Sequence, residues 1–253
     1  MEKGVQIKWV ETIDSTNNEL ARHISDFDNL SVLAARYQEA GRGQRGNHWK
    51  SAAGENLTFS MMFKPGTPPF PSISAAEQFP ISEAATQAVS SFVRGQGVPC
   101  RIKWPNDIYV GDRKICGMLI ENQLDARGNI SSCIIGIGLN LNQIDFPPEL
   151  MNPTSLRMVT GQMYDPESSL QGVCDCLAEQ LLRLCTPEGK AALRQDYLSD
   201  LYRLGEWHAY TDCRSGQVFQ GRIKGISEGG NLLVEMPDGQ INAFGFKEIS
   251  YIL

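Results

Sequence analysis

Histidine is scarce in this chain. Its three copies, His23, His48 and His208, stand far apart among 253 residues. No H-E-x-x-H or comparable cluster forms, so nothing points to a zinc site. The seven cysteines are Cys100, Cys116, Cys133, Cys174, Cys176, Cys185 and Cys213. Their number is odd, their spacing scattered, and no C-x-x-C occurs. That pattern argues against a disulfide framework and for reduced thiols in the cytoplasm. Long apolar runs are missing too. The stretch Cys133–Leu141 is far too short to span a bilayer. Met1-Glu2-Lys3-Gly4 leads into no apolar segment, so no signal peptide is expected. A basic excess is also absent: the net charge of −6 provides no general footprint for nucleic acid. A local basic loop remains compatible with nucleotide binding.

What is present is ordinary for a soluble globular protein, with 42% apolar and 21% charged residues. The length suits one large domain, or one domain and a small appendage. Ser31–Tyr37 and Leu57–Phe63 read as buried strands, and Lys64–Ser72, with four prolines, as a connection. Asp14-Ser15-Thr16-Asn17-Asn18-Glu19 opens a helix, with Thr16 and Glu19 as a capping box. Ser74–Arg94 has helical periodicity, with Pro80 marking a kink or a late start. Arg101–Trp104, Ile108–Val110, Lys114–Asn122 and Ile130–Leu141 read as antiparallel strands joined by turns at Gly111-Asp112 and Asp125–Asn129. Two helices follow, Ser168–Cys185 and Glu188–Leu204, separated by Pro187. Beyond Gly205 the pattern changes to short strands, His208–Cys213, Val218–Ser227, Leu232–Met236 and Ile241–Glu248, with turns at Glu228–Asn231 and Pro237–Gln240. These predict a boundary near residue 204 and a small C-terminal β-barrel over 205–253.

The chemistry concentrates in a few short stretches. Lys103-Trp104-Pro105-Asn106-Asp107 sets a cation, an aromatic, a rigid turn and two Asx side chains side by side. Lys114 follows in Asp112-Arg113-Lys114-Ile115-Cys116-Gly117. A lysine or arginine neutralises phosphate, and a carboxylate positions Mg²⁺ or a nucleophile. Upstream, Gly41-Arg42-Gly43-Gln44-Arg45-Gly46 matches G-x-G-x-x-G literally. No apolar helix follows it, which excludes a dinucleotide fold. Glycines let backbone wrap an anion, Arg42 and Arg45 add fixed charge, and Trp49 offers a stacking face for a purine. Gly136-Ile137-Gly138-Leu139-Asn140 is a strand with one face stripped of side chains, which permits close packing or clears a floor for a flat ligand. Each piece also has a plainer role: Ser15 and Thr16 as a helix cap, Trp104 as core, Asn106-Asp107 as an Asx turn, Lys114 as a hairpin lysine and Cys116 as a buried thiol.

The order of these pieces, from Ser15-Thr16-Asn17 through Tyr37–Trp49, Lys103–Asp107 and Lys114–Gly117 to Gly136–Asn140, resembles the biotin protein ligases, also called biotin–[acetyl-CoA-carboxylase] ligases. The resemblance runs from about Trp9 to Leu204, and the C-terminal strands resemble that family's SH3-like cap. It implies an α+β fold of the class II synthetase-like biotin/lipoate ligase type: a catalytic domain over 1–204, with a mixed, mainly antiparallel sheet and flanking helices, and an SH3-like barrel over 205–253. It implies an ATP-dependent ligase that makes biotinyl-5′-AMP and passes biotin to a lysine of a biotin carboxyl carrier protein. Carried over by position, Lys114, Arg42 and Asp107 are catalytic. Ser15, Thr16, Asn17, Gln38, Gly41, Arg42, Gly43, Gln44, Lys114, Gly117, Gly136 and Gly138 bind biotin. Arg42, Arg45, Trp49, Asn106, Asp107, Lys114 and Asn140 bind ATP, whose Mg²⁺ is held mainly by phosphate oxygens. Gln44 and Asn47 depart from the family, where many bacterial members carry arginine. The Ser15 motif starts almost at Met1, so a ligase without a DNA-binding domain is expected. No DNA or membrane partner is expected, and a homodimer through a sheet edge is compatible with the fold. Lipoate ligation or octanoyl transfer, on the same fold, is the competing chemistry, with Cys116 as its nearest thiol. A non-catalytic biotin or nucleotide sensor is the other alternative.

Overall fold

The computed structural model describes residues 5–43 and 46–253. Seven strands form the larger sheet: β1 (Ile7–Ile13), β2 (Val32–Gln38), β3 (Leu57–Phe63), β4 (Arg101–Lys103), β5 (Asp107–Val110), β6 (Arg113–Leu124) and β7 (Ile130–Leu139). Their order is β1-β2-β3-β7-β6-β5-β4. Only β1 and β2 pair in parallel, so the sheet is mixed and mainly antiparallel.

β3 is buried along its whole length because both faces are covered. Leu57, Phe59, Met61 and Phe63 face the main core, while Met62 joins Leu20, Leu33 and Ile134 on the other side. Burying each large apolar side chain contributes about 2 kcal/mol. β7 alternates in the same way: Cys133, Ile135, Ile137 and Leu139 enter the core. Gly136 and Gly138 therefore fall on the opposite face, by the period of two. α1 (Thr16–Arg22) lies against β3 and β7 on that face. On the core face, alanine-rich α2 (Phe79–Gly95) packs against α4 (Pro166–Leu182) and α5 (Pro187–Ser199). A short α3 (Leu156–Thr160) precedes them.

The second sheet comprises β8 (Trp207–Asp212), β9 (Val218–Ile226), β10 (Leu232–Glu235), β11 (Ile241–Phe244) and β12 (Ile249–Tyr251), in the order β11-β10-β9-β8-β12. Tyr210, Ile223, Leu232, Val234 and Phe244 share one apolar cluster with the larger body.

Several expectations change. Thr16 and Glu19 make no capping box: Ser15 is the N-cap without a side-chain bond, and Glu19 pairs with Arg22 at 2.7 Å. The helix expected from Ser74 starts late, at Phe79, with Pro80 in its first turn. The helix expected to run to Leu204 stops at Ser199. Its continuation bonds to β4 instead, Ile102 N–H to the Asp200 carbonyl and Tyr202 N–H to the Ile102 carbonyl, each at 2.8 Å. The strand expected over Ile241–Glu248 stops at Phe244 as β11, and a separate β12 begins only at Ile249. Gly245 N–H donates to Glu248 Oε2 at 2.7 Å, Lys247 adopts φ +64°, and the two strands go to opposite edges of the sheet. β1 and α3 were not anticipated.

Glu83 of α2 is 1% exposed and faces Arg194 of α5. Burial pushes its carboxyl up to about 7 from the ordinary 4.5, against the pull of Arg194. The folded state thus holds this proton more tightly than the unfolded chain. The contribution is full below pH 4.5 and is lost as pH rises through 7. The thermal midpoint should decline over that range, and Glu83→Gln should flatten the decline. Calorimetry at stepped pH checks both.

Candidate active site

A cavity of about 610 Å³ opens on the glycine-bearing face of the large sheet. Gly117 and Gly138 stand directly opposite each other across β6 and β7, and Leu119 opposes Gly136. Two adjacent positions therefore project no side chain. The space is used by other residues of the chain. A Cβ at Gly138 would overlap the Trp49 indole, and one at Gly136 would overlap the Asn17 amide. The floor is thus shaped by two seats, one aromatic and one polar.

The polar end is a chain of hydrogen bonds from four elements. The Thr16 N–H donates to Gln38 Oε1 at 2.8 Å. Ser60 spends its hydroxyl proton on Asn17 Oδ1 at 2.6 Å and so accepts from the Thr16 hydroxyl at 2.7 Å. Asn17 Nδ2 donates to Glu121 Oε2 at 2.8 Å and to the Leu119 carbonyl at 3.2 Å. Arg42 closes the series, with Nη1 and Nη2 on the two Glu121 oxygens at 3.0 and 2.8 Å and Nη1 on Asn18 Oδ1 at 2.9 Å. Ser15, Thr16 and Asn17 are all nearly buried, so these donors and acceptors are held in place.

At the other end, Lys114 Nζ meets Asp107 Oδ1 at 2.8 Å, with the lysine side chain 31% exposed. Burial works to lower the Lys114 pKa, but the Asp107 charge and hydrogen bond together outweigh it and raise it. The lysine therefore stays a cation at neutral pH. Its backbone is clamped as well: Lys114 N–H donates to the Asn152 carbonyl at 2.8 Å, and Thr154 N–H to the Lys114 carbonyl at 2.9 Å. Asn106 Nδ2 donates to the Met118 carbonyl at 3.1 Å, which ties the residue before Asp107 to β6. Lys50, further out, pairs with Glu149 at 2.5 Å across the mouth.

Among the expected site residues, Ser15, Thr16, Asn17, Gln38, Arg42, Gly43, Trp49, Asn106, Asp107, Lys114, Gly117, Gly136 and Gly138 all line this cavity. Gln44 and Arg45 lie outside the described residues. Gly41 is not on the lining: it closes the turn onto Trp49, whose N–H donates to the Gly41 carbonyl at 2.9 Å. Asn140 is not on the lining either. Its amide is spent on the Thr154 carbonyl at 2.9 Å. Arg42 reaches Glu121 rather than the Lys114–Asp107 end. Lys103 also faces away, with Nζ 3.1 Å from the Tyr109 hydroxyl and between the Tyr109 and Tyr251 rings.

Several site residues carried no local signal. Ser60 and Glu121 are off the cavity lining and act through their partners, Ser60 through Thr16 and Asn17 and Glu121 through Asn17 and Arg42. Phe246 and Lys247, from the second sheet, do line the cavity. No sequence signal marked them, since residues 241–248 read as one strand. Cys116 is fully buried, and burial pushes its thiol up, away from the reactive thiolate. Among the described residues no group of three or more His, Cys, Asp or Glu side chains converges to hold a metal. Chemically, the arrangement offers a charged lysine and carboxylate at one end and, at the other, a fixed set of neutral donors and acceptors closed by the Arg42–Glu121 pair. An indole lies between them, its Nε1 buried without a partner.

Residues 9–140 match the sequence profile of the Biotin/lipoate A/B protein ligase family. The chain is 31% identical over 242 residues to the bifunctional ligase/repressor BirA of Bacillus spizizenii, covering 93% of this chain and 71% of that protein. It is 29% identical over 232 residues to the biotin–[acetyl-CoA-carboxylase] ligase of Paracoccus denitrificans, covering 90% and 93%. In three dimensions it resembles the biotin protein ligase of Aquifex aeolicus in complex with biotin and ATP, with a TM-score of 0.79, 26% identity and 97% of each chain covered.

Gly136→Ala should force the Asn17 amide out of its seat and destabilise the protein by about 1–3 kcal/mol through overpacking. Urea unfolding measures the loss. An unchanged midpoint would mean that the seat is not as tight as the geometry requires.

Proposed function

The chain belongs to the biotin/lipoate A/B protein ligase family, and from that premise we infer an ATP-dependent biotin protein ligase. It forms biotinyl-5′-AMP from biotin and ATP and then transfers biotin to a lysine of a biotin carboxyl carrier protein. The observation that carries this reading is the charged Lys114–Asp107 pair at one end of a cavity whose other end is a preset hydrogen-bonding network.

In the first step a biotin carboxylate oxygen attacks the α-phosphorus of ATP and pyrophosphate leaves. Both reactants are anions, so the step needs a fixed cation between them. Lys114 supplies it without reorganisation at the moment of reaction. Thr16, Asn17 and Gln38 present the donors and acceptors that suit the ureido ring. Trp49 offers its indole face to adenine. Mg²⁺ enters with ATP as part of the substrate, held by phosphate oxygens. In the second step the amine nitrogen of the acceptor lysine attacks the acyl carbon and AMP leaves with its phosphate oxygen. Asp107 is the carboxylate that orients that amine. Arg42 changes partners in this scheme, exchanging part of its hold on Glu121 for the ligand. We place the catalytic unit at 1–204 and an SH3-like barrel at 205–253. A cytoplasmic site of action suits the free cysteines. DNA binding is not part of this reading, since the chain is acidic.

Acyl transfer through a thioester is disfavoured by the burial of Cys116. Cys116→Ser should therefore keep turnover within about twofold of wild type, since a structural thiol packs as a small apolar group. A loss beyond that with intact folding would move the protein to the acyl-thioester chemistry.

Biotin-dependent pyrophosphate release from Mg-ATP, with lipoate and octanoate in parallel, tests the central reading. Release with biotin is expected, followed by label on the lysine of an added carrier domain. Lys114→Ala should lower the rate by at least about 10²-fold while circular dichroism stays native. Release with lipoate alone, or binding of biotin without release, would overturn the assignment.

A further inference from the structure

Asp107 follows two residues whose positions are held from far away in the sequence. The hydroxyl of Tyr197, fully buried in α5, donates to the Pro105 carbonyl at 2.8 Å. Trp104 Nε1 donates to the Gly230 carbonyl at 2.8 Å. Gly230 lies in the turn between β9 and β10 at φ +88°, where a Cβ would overlap the Phe79 ring. Only glycine fits that position without strain. Phe79 in turn meets Tyr197 edge to face, with centroids 5.5 Å apart. Arg194, one turn before Tyr197, donates to the Ser227 and Glu228 carbonyls at 2.9 and 3.3 Å. Phe246 closes the other side of Trp104, with ring centroids 6.1 Å apart.

Trp104 and Pro105 are therefore gripped from α5 and from the second sheet, just ahead of the residues that enter the cavity. Neither Tyr197 nor Gly230 lines that cavity. We propose that Tyr197 and the Ser227–Gly230 turn form a clasp that positions Asp107 against Lys114, with Tyr197 as the positioning residue. The inference rests on the adenylation reading above and deepens it. The second sheet, by this reading, sets the geometry of a site built almost wholly by the first. The physical reason is the short reach of the ion pair. Asp107 and Lys114 meet at 2.8 Å, and displacements of about 1 Å at a reacting group cost up to 10²-fold in rate. Without the clasp, the loop's ties are the Lys103–Asp107 strand pairing and the Asn106 bond to the Met118 carbonyl, at the end of a short edge strand. The clasp holds because the Trp104–Gly230 bond is buried and the Tyr197 hydroxyl that donates to the half-buried Pro105 belongs to a fully buried side chain, and a buried polar group left unpaired is costly.

Tyr197→Phe and Trp104→Phe each delete one donor and keep an aromatic ring. They are compared singly and together with wild type at a temperature where all remain folded. In biotin-dependent exchange of pyrophosphate into ATP, kcat should fall about tenfold in each. KM for biotin should stay within about twofold, since its neutral contacts stand apart from the clasp. Lys114 would lose part of the support from Asp107, so the alkaline limb of the kcat profile should move to lower pH. Amide exchange across residues 103–107 should quicken. Wild-type kcat and an unmoved alkaline limb, with only a lower thermal midpoint, would overturn the clasp. So would a loss carried entirely by KM for biotin. If Tyr197→Phe does not fold, Trp104→Phe decides alone. If the wild type shows no biotin-dependent exchange, the functional reading fails. The clasp is then judged by amide exchange, where unchanged protection at 103–107 sinks it.

Discussion

A partly buried lysine cation is favoured by a fixed counter-charge beside it, and much of this site is arranged around that pair. Burial alone would push Lys114 toward its neutral form, and Asp107 reverses the sign. The pair meets at 2.8 Å, and both backbones are held. On one side the 152–154 segment runs along Lys114. On the other, Asn106 is tied to Met118 and Pro105 to Tyr197. A strand pair without these ties would carry the same two side chains but leave them to solvent and to side-chain entropy, where such pairs are worth little.

The polar end of the cavity obeys a different rule. Its members are neutral apart from Arg42 and Glu121, and Thr16, Asn17 and Ser60 are buried, so each of their donors must meet an acceptor. The network from Gln38 to Arg42 satisfies this in sequence, and its direction is set by single protons. Ser60 gives its proton to Asn17 and therefore accepts from Thr16. The glycines of β6 and β7 make room for this chemistry indirectly. They seat Asn17 and Trp49, whose side chains then line the cavity. Of the two roles that the sequence left open for those glycines, close packing and a cleared floor, the structure shows the packing, and Gly136 and Gly138 also stand on the cavity lining.

The two sheets are also linked by more than apolar contact. Arg194 connects Glu83 on α2 with the carbonyls of the 227–228 turn, and Trp104 reaches Gly230. The cavity gains Phe246 and Lys247 from the second sheet by the break between β11 and β12. A turn that ends a strand is thus also what delivers side chains to the site.

The sequence by itself determined the elements whose signals are local. Unbroken apolar runs marked β2 and β3, and alternation with turn residues marked β5 to β7. Pro80 marked the late start of α2. The order of Ser15–Asn17, Arg42, Trp49, Asn106-Asp107, Lys114 and Gly136–Gly138 was enough to name the chemistry, and these residues line one cavity. Tertiary structure decided the rest, because contact between distant residues leaves no local trace. The turn at Ser199 came from competition by β4 for the 200–202 backbone, which outweighed helix propensity. Glu19 preferred Arg22 to the capping box. Asn140 was drawn from the cavity to Thr154, and Lys103 into a tyrosine cage. Glu121, Ser60, Tyr197 and Gly230 became legible only once the fold showed which side chains they hold.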